Sequence, residues 1–296
     1  MSERVVTVGG NKATRPLSDF SMGNYYGKKW HVNNKKTVSG DGKSWDFPFI
    51  TITEAVAVAA AGDIINIFGD GLTPTQYTET VTPLVSGLKF IANIENGVIW
   101  GGVTDALILN AVVDTFMTGI RFRPTSGYAG VSMTGASNGT IIDCCRFQGT
   151  TGSKYGIKSD GAQSGVKIRN GCHFVYFNAA TCYGIFAPVG TSENASWEIL
   201  DAMFHSNTYH LKANLRYSIV KGNTFAGYGL LAAGGQGAPT KCIDFTPGSG
   251  SVGNNTVVGN FLGGAYTTAL YVSSNANEDW AGNFGSAGVT TGVPAG

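Results

Sequence analysis

The chain has 296 residues, and its 20 Lys and Arg nearly balance 19 Asp and Glu, which leaves a formal net charge of +1. Only 13% of the residues are charged whereas 43% are hydrophobic, a composition that argues against a disordered chain. The near-neutral charge argues against a nucleic-acid-binding protein, and no apolar run of about 18 residues predicts a membrane span. The 43 glycines follow no three-residue period, which excludes collagen.

Two further features concern the compartment in which the protein folds. The first residues, Met1 to Asn11, contain no apolar stretch of the kind that a Sec signal has. The cysteines form no C-x-x-C pair, which argues against a disulfide framework and against a zinc site. These cysteines are Cys144, Cys145, Cys172, Cys182 and Cys242. We therefore expect buried free thiols in a protein made in a reducing cytosol.

The N-terminal segment 1–45 carries most of the basic charge, with eight Lys and Arg against three Asp and Glu. It is polar and has no sustained hydrophobic period, so the sequence predicts an extended arm. Its basic and aromatic side chains predict docking on a partner through Arg15, Tyr25, Tyr26, Lys28, Lys29, Trp30, Lys35 and Lys36. A solvated tail, or a tail folded onto its own domain, is the alternative.

One short helix is predicted within residues 46–62. Thr51 and Glu54 match a capping box, in which their side chains satisfy the amides of the first turn. Every residue from Ala55 to Ala61 is Ala or Val, and Gly62 would end the helix. A helix that is apolar on every side must be buried or must close the end of another structure, so we expect a cap.

From Asp63 onward the sequence shows short strands and an internal repeat. In one series, copies begin at Tyr128, Tyr155, Tyr183, Tyr209 and Tyr228. In a second series, copies close at Phe147, Phe174, Phe204, Phe225 and Phe261. A period near 27 residues, with three strands and three turns, predicts one coil of a β-solenoid. Residues 63–275 would form about eight coils, followed by a Gly-rich tail over 276–296; a flat antiparallel sandwich would need no such period.

Three stretches resemble the entry into the right-handed parallel β-helix proteins of the pectin lyase-like superfamily. They are the run PFITITEAV from Pro48 to Val56, AGDIINI from Ala61 to Ile67, and YTETV from Tyr77 to Val81. The resemblance covers about residues 45–275. It implies an all-β fold, a right-handed parallel β-helix with an N-terminal capping helix. It implies no particular activity, because this scaffold carries many functions.

The catalytic motifs of these enzymes are not found in the sequence. Lyases of this superfamily need clustered aspartates for calcium and a basic residue as the proton acceptor. The nearest basic pair, Arg121 and Arg123, has no carboxylates close in sequence, so we expect both to point outward beside an inward Phe122. The Asn-Thr-Asp, Asp-Asp and Gly-His-Gly motifs of the hydrolases are also missing.

Other polar residues have a structural and a chemical interpretation. Asp143 and Asp201 fall at corresponding places in the repeat with Asn170 between them, which favours a ladder of Asn and Asp. A carboxylate pair of Asp143 or Asp160 with Asp201 is the alternative. His173 and His205 flank closing phenylalanines, and we expect solvated histidines rather than a metal site. We predict no catalytic residue, no metal and no cofactor.

These observations favour a non-enzymatic structural protein of a tailed-phage virion surface. The most specific expectation is a capsid decoration protein, made in the host cytoplasm and tethered by its arm to the major capsid protein or another virion protein. We expect a homotrimer with no nucleic-acid or membrane partner. The alternative is a tailspike that binds or cleaves host surface polysaccharide, with Trp197 and Trp280 stacking on sugars. A bacterial cell-surface protein is a third possibility.

Overall fold

The strands after residue 27 pair in parallel with the equivalent strands of the preceding and following coils. The computed structural model describes residues 5–8, 11–14, 27–150, 152–178, 181–187, 194–226, 240–245, 253–263, 269–273 and 278–285. Because equivalent strands align from coil to coil, the chain forms a solenoid with three long parallel sheets, as the repeat predicts. Strands are numbered here in chain order.

The first sheet contains β3 (Lys29–Val32), β4 (Ile64–Ile67), β6 (Lys89–Ala92), β9 (Phe116–Thr118), β12 (Ile141–Asp143), β15 (Lys167–Arg169), β19 (Glu198–Leu200), β23 (Ile219–Lys221), β26 (Thr256–Val258) and β29 (Asp279–Ala281), in that order. The second sheet contains β5 (Thr75–Thr78), β7 (Val98–Gly101), β10 (Ile120–Phe122), β13 (Arg146–Gln148), β16 (His173–Val175), β20 (Met203–His205), β24 (Thr224–Ala226), β27 (Phe261–Gly263) and β30 (Phe284–Gly285).

The third sheet contains β8 (Leu107–Asn110), β11 (Ala129–Thr134), β14 (Tyr155–Ser159), β17 (Tyr183–Ala187), β21 (Tyr209–Ala213), β25 (Lys241–Phe245) and β28 (Ala269–Ser273). A short parallel pair joins β18 (Asn194–Ala195) to β22 (Leu215–Arg216). An antiparallel pair, β1 (Val5–Val8) with β2 (Asn11–Thr14), lies within the segment predicted as an arm.

The second sheet buries one aromatic ring per coil at the same inward position. The rings belong to Trp100, Phe122, Phe147, Phe174, Phe204 and Phe225, all fully buried. Neighbouring ring centroids are 4.7 to 5.5 Å apart, because parallel register places each ring over the next. The last copy differs, since Phe225 pairs with Leu262 rather than Phe261. The prediction that Phe261 closes the final copy is therefore wrong by one residue.

The tyrosine series lies on the third sheet. Tyr155, Tyr183 and Tyr209 pair in register, and their rings stack at 5.8 and 4.7 Å. The residue paired with Tyr155 in the preceding coil is Ala129, so the predicted copy at Tyr128 is displaced by one residue. In the following coil Lys241 pairs with Tyr209, while Tyr228 lies outside the described residues.

Gly156 and Gly184, which follow Tyr155 and Tyr183, make room for the aromatic stack across the core, whereas His210 follows Tyr209. A Cβ added to Gly156 would lie 2.5 Å from the carbonyl oxygen of Gly184 and 3.0 Å from a ring carbon of Phe174. Both distances are shorter than a normal van der Waals contact. The repeated Tyr-Gly pattern is therefore explained by close packing between the third and second sheets.

The turn from the first to the second sheet is two residues long in most coils, and its first residue has a left-handed backbone. Cys144 occupies this position with φ of 48°, and Asn170 and Asp201 are its equivalents with φ of 56° and 52°. Asn and Asp tolerate this conformation better than most residues. The predicted correspondence of Asp143 with Asp201 is wrong by one residue, because Asp143 pairs with Arg169.

The last residue of this turn is buried, and in successive coils these residues form a ladder of hydrogen-bonded side chains. Asn223, Asn260 and Asn283 each accept a backbone N–H bond from the preceding coil at 2.9 to 3.0 Å. Each side-chain amide also donates to a carbonyl of that coil at 2.8 to 2.9 Å. Cys145 and Cys172 fill the same position in earlier coils as buried free thiols. The ladder predicted from Asp and Asn is thus built one residue later in the turn.

The helix α1 (Ile52–Val58) follows the capping box that the sequence predicts. The Thr51 side chain accepts from the Glu54 amide, and the Glu54 carboxylate accepts from the Thr51 amide at 3.0 Å. Ile52 and Ala55 are buried. The helix ends earlier than Gly62, because Ala59 already has an extended backbone.

The solenoid starts before the predicted boundary at residue 45. Strand β3 pairs with β4, and Val32 is fully buried, so an extended arm over residues 1–45 is wrong from Lys29 onward. The segment 42–49 lies along the other side of β3. The amide of His31 donates to the Gly42 carbonyl at 2.7 Å. The amide of Phe49 donates to the His31 carbonyl at 2.9 Å, and its carbonyl accepts from the amide of Asn33, just after β3, at 2.7 Å. At the other end, β29 and β30 extend the coils into the predicted tail.

Replacement of Phe174 by Ala should lower the free energy of unfolding by about 3–5 kcal/mol, because it opens a cavity between two rings in the aromatic stack. Phe261→Ala is the matched control, since this ring is 38% exposed and lies outside the stack. We expect a loss below about 1 kcal/mol for the control. Urea unfolding of both variants measures the difference, and equal losses would contradict this account of the core.

Candidate functional site

The N-terminal end of the solenoid contains five of the eight residues predicted to dock on a partner. They are Lys28, Lys29, Trp30, Lys35 and Lys36, whereas Arg15, Tyr25 and Tyr26 lie outside the described residues. Trp30 packs against the hydrophobic core, 6.0 Å from the ring of Phe49. Its indole N–H donates to Asp63 at 2.8 Å. Trp30 therefore belongs to the first coil and is not a free docking side chain.

The four lysines at this end are exposed, and none forms an ion pair with a described residue. Two apolar side chains accompany them, since Val38 is 76% and Phe47 is 67% exposed. Backbone bonds from Gly40 to Pro48 and from Gly42 to Phe47 connect the two sides of this loop. We define the N-terminal docking surface as Lys28, Lys29, Lys35, Lys36, Val38 and Phe47.

A second cationic group lies on the outer face of the second sheet. Arg121, Arg146 and His173 are paired in register on β10, β13 and β16, and we call them the Arg–His row. They point outward because the neighbouring residues, Phe122, Phe147 and Phe174, fill the core. The row confirms the outward direction expected for Arg121. The sequence reading missed the row because its members are about 26 residues apart and become neighbours only through the parallel register.

Polar atoms of this row are buried without hydrogen-bond partners within the described part of the chain. They are the Nε atoms of both arginines and Nε2 of His173. Burial and the charges of Arg146 and Arg123 lower the pKa of Arg121. None of the three residues forms an ion pair with a described carboxylate. The row is therefore a pair of positive charges without a described counter-charge, beside a half-buried imidazole.

His205 lies beside the row, with its ring centroid 4.6 Å from that of His173, although Met203 is the residue paired in register with His173. Burial lowers the pKa of His173 to about 4, with smaller contributions from the charges of His205 and Arg146. Burial followed by the charge of Arg146 also lowers the pKa of His205. The expectation of solvated histidines is therefore wrong, because the two rings are half-buried neighbours that stay neutral near pH 7. Among the described residues, no third His, Cys, Asp or Glu joins them.

The carboxylates weighed as a catalytic pair are not brought together. Asp143 accepts from Nε of Arg169 at 3.0 Å, which engages it in a structural ion pair. Asp160 follows a strand of the third sheet and pairs with Lys158. Asp201 is exposed at its turn in the first sheet. The arrangement gives no support to the alternative of a shared acid–base site.

The tryptophans considered for sugar stacking are also internal. Trp197 is fully buried, and its indole N–H donates to the Gln163 carbonyl at 3.0 Å. Trp280 is half-buried and packs against the core. The prediction that these two rings are exposed for stacking on sugars is therefore wrong. Within the described residues, no helix is both long and apolar enough to cross a membrane.

No family model and no curated protein matches the sequence. Among solved structures, a rhamnogalacturonan lyase is similar with a TM-score of 0.60 and 13% identity, over 88% of this chain and 74% of the lyase. An alginate lyase from Paenibacillus sp. str. FPU-7 is similar with a TM-score of 0.58 and 14% identity, over 81% of this chain and 96% of the lyase. The chain has the right-handed parallel β-helix fold.

A pectin methylesterase from Aspergillus niger also shares the β-helix, with a TM-score of 0.53 and 9% identity over 99% of this chain and 93% of the esterase. At these identities the likeness concerns the fold alone. The β-helix expected from the repeat and from the resemblance is thus confirmed, while any activity has to be argued from the residues of this chain.

His210, which the sequence reading left without a role, is buried inside the β-helix. Its Nε2 lies 3.1 Å from the carbonyl oxygen of Ala226, and its Nδ1 lies 3.2 Å from the amide nitrogen of Asn207. This environment fits a neutral ring with its proton on Nε2. Burial lowers the pKa of His210 to about 3.

The free energy of unfolding should fall as the pH is lowered from about 6.5 toward 3, since the unfolded chain takes up a proton on His210 that the folded chain excludes. The slope from this residue is at most about 1.4 kcal/mol per pH unit. His210→Gln should flatten the pH dependence of the urea midpoint, even though it lowers stability at pH 7. An unchanged slope would show that the ring is protonated normally in the folded protein.

Proposed function

We propose that this β-helix is a non-enzymatic structural protein of a phage virion surface, and in particular a capsid decoration protein. The observation that carries the proposal is the N-terminal docking surface. It combines four exposed lysines, unpaired with any described residue, with two exposed apolar side chains. Lys35, Lys36, Val38 and Phe47 all belong to the loop between β3 and α1, so one loop supplies both cationic and apolar contacts. This chemistry suits an acidic surface of the major capsid protein or of another virion protein.

The position of the docking surface also supports attachment at one end. Its strand, β3, begins the first sheet, so a partner bound there leaves the three sheets free to project. Ten strands about 4.8 Å apart make that sheet roughly 43 Å long. The buried free cysteines fit assembly in the reducing cytoplasm of a host cell. Within this proposal the assembled form is a homotrimer.

The double variant Lys35→Glu with Lys36→Glu should reduce binding to particles that lack the protein by at least about tenfold, because it replaces attraction to an acidic surface by repulsion. The control is Arg123→Glu with Lys221→Glu, which makes the same charge change at exposed sites on the sides of the β-helix. Added salt should weaken the wild type in the same assay. Equal binding of both double variants would contradict attachment through this end.

Quantitative mass spectrometry of the purified native particle measures copies of this chain relative to the major shell protein. Hundreds of copies per particle are expected for a decoration protein. A few tens of copies or fewer would instead support a tail or vertex spike. Absence from the particle would overturn the virion proposal.

The second candidate function is a receptor-binding β-helix that binds or cleaves host surface polysaccharide. The Arg–His row favours it, because Arg121 and Arg146 are partly exposed on the outer face of a sheet and form no ion pair with a described carboxylate. Release of reducing ends from host capsule or lipopolysaccharide would establish cleavage. Binding without release would leave a receptor-binding role. The absence of both binding and release would exclude this candidate.

A further inference from the structure

The Arg–His row contrasts with the two cationic residues of β15 on the first sheet. There, Lys167 pairs with Glu198 at 2.8 Å and Arg169 pairs with Asp143 at 3.0 Å. These two outward cations of β15 each have an acidic neighbour in an adjacent strand. On the second sheet, Arg121 and Arg146 are adjacent to each other and have no such acid among the described residues. The two guanidinium groups are therefore neighbours whose charge no described carboxylate offsets.

The two arginines also have N–H donors without an acceptor among the described residues. Nε of Arg121 and Nε of Arg146 are both buried, and neither these atoms nor Nε2 of His173 has a hydrogen-bond partner among the described residues. Buried polar groups without partners are uncommon in folded proteins, and such groups are often found at functional sites. Since the strands are about 4.8 Å apart, the two guanidinium groups can reach oxygens of a single anion.

We propose that the Arg–His row binds a phosphate monoester or inorganic phosphate on the side of the β-helix. Two guanidinium charges match the charge of a phosphate monoester, which is about −1.5 to −2 at pH 7. A carboxylate carries one charge and would leave one guanidinium uncompensated. Arginine also presents its N–H groups in a fork that fits phosphate oxygens. His173 supplies a further hydrogen-bonding group at the end of the row.

This site is independent of the proposed attachment, because it lies on the second sheet rather than on the N-terminal docking surface. Two sources share the same chemistry, a phosphorylated sugar of a surface glycan and free inorganic phosphate. A sugar phosphate that binds more tightly than inorganic phosphate would identify the glycan as the source. Equal affinity would identify the free anion.

Calorimetric titration of the full chain with inorganic phosphate, mannose 6-phosphate and galacturonate tests the proposal. We expect the phosphate compounds to bind at least about tenfold more tightly than galacturonate, because only they balance both arginines. Arg146→Gln should weaken phosphate binding by at least about tenfold. Arg169→Gln is the matched control, since its charge is already balanced by Asp143, and it should leave the affinity within about twofold.

A second measurement does not depend on the folding of a variant. Phosphate should shift the Nε–H resonances of Arg121 and Arg146 in the nitrogen-15 NMR spectrum of the wild-type protein, while that of Arg169 stays in place. Failure of phosphate to move these resonances would overturn the proposal. Galacturonate binding as tight as phosphate, or an Arg146→Gln variant of normal fold and unchanged affinity, would overturn it as well.

Discussion

The parallel register between coils is the constraint on which the rest of the structure depends. It places equivalent residues of successive coils next to each other, whatever the loop length between them. A residue type that recurs at one position of the repeat therefore forms a continuous row along the solenoid axis. Inside the second sheet the repetition yields a continuous aromatic stack, for which Gly156 and Gly184 of the third sheet make room. In the turns it yields the amide ladder, where each buried side chain satisfies the backbone of the preceding coil. On the outside it aligns Arg121, Arg146 and His173.

The sequence allowed the fold class, the capping box and the repeat to be predicted, because these depend on local chemistry and a constant period. It misplaced Phe261 and the Asp143 correspondence by one residue, since variable turns between copies hide the register that hydrogen bonding sets. The boundary at residue 45 failed for another reason. Strand β3 has few apolar residues, yet it is held by pairing with β4 and by Asp63, which lies more than 30 residues away in sequence.

The same distinction, between features set by local sequence and features set by the register between coils, applies to the candidate sites. Exposed lysines near the N-terminus are visible as a run of charge, and the described ones remain accessible in the folded chain. Aromatic residues mislead, because Trp30 and Trp197 combine a large apolar surface with one N–H group and can be buried once that group finds an acceptor. The Arg–His row has no sequence signature at all, since proximity across coils is the property that defines it.

The segment 42–49 beside β3 also determines which groups at this edge a partner protein can contact. A first strand with free backbone groups would recruit further strands, and solenoids could then join end to end into fibres. Here the amide of His31 is already bonded to Gly42, and Phe49 occupies the neighbouring stretch of the edge. A partner at this end therefore meets side chains rather than open backbone. Recognition then depends on the identity of those side chains, and the bonded edge does not favour end-to-end joining of solenoids.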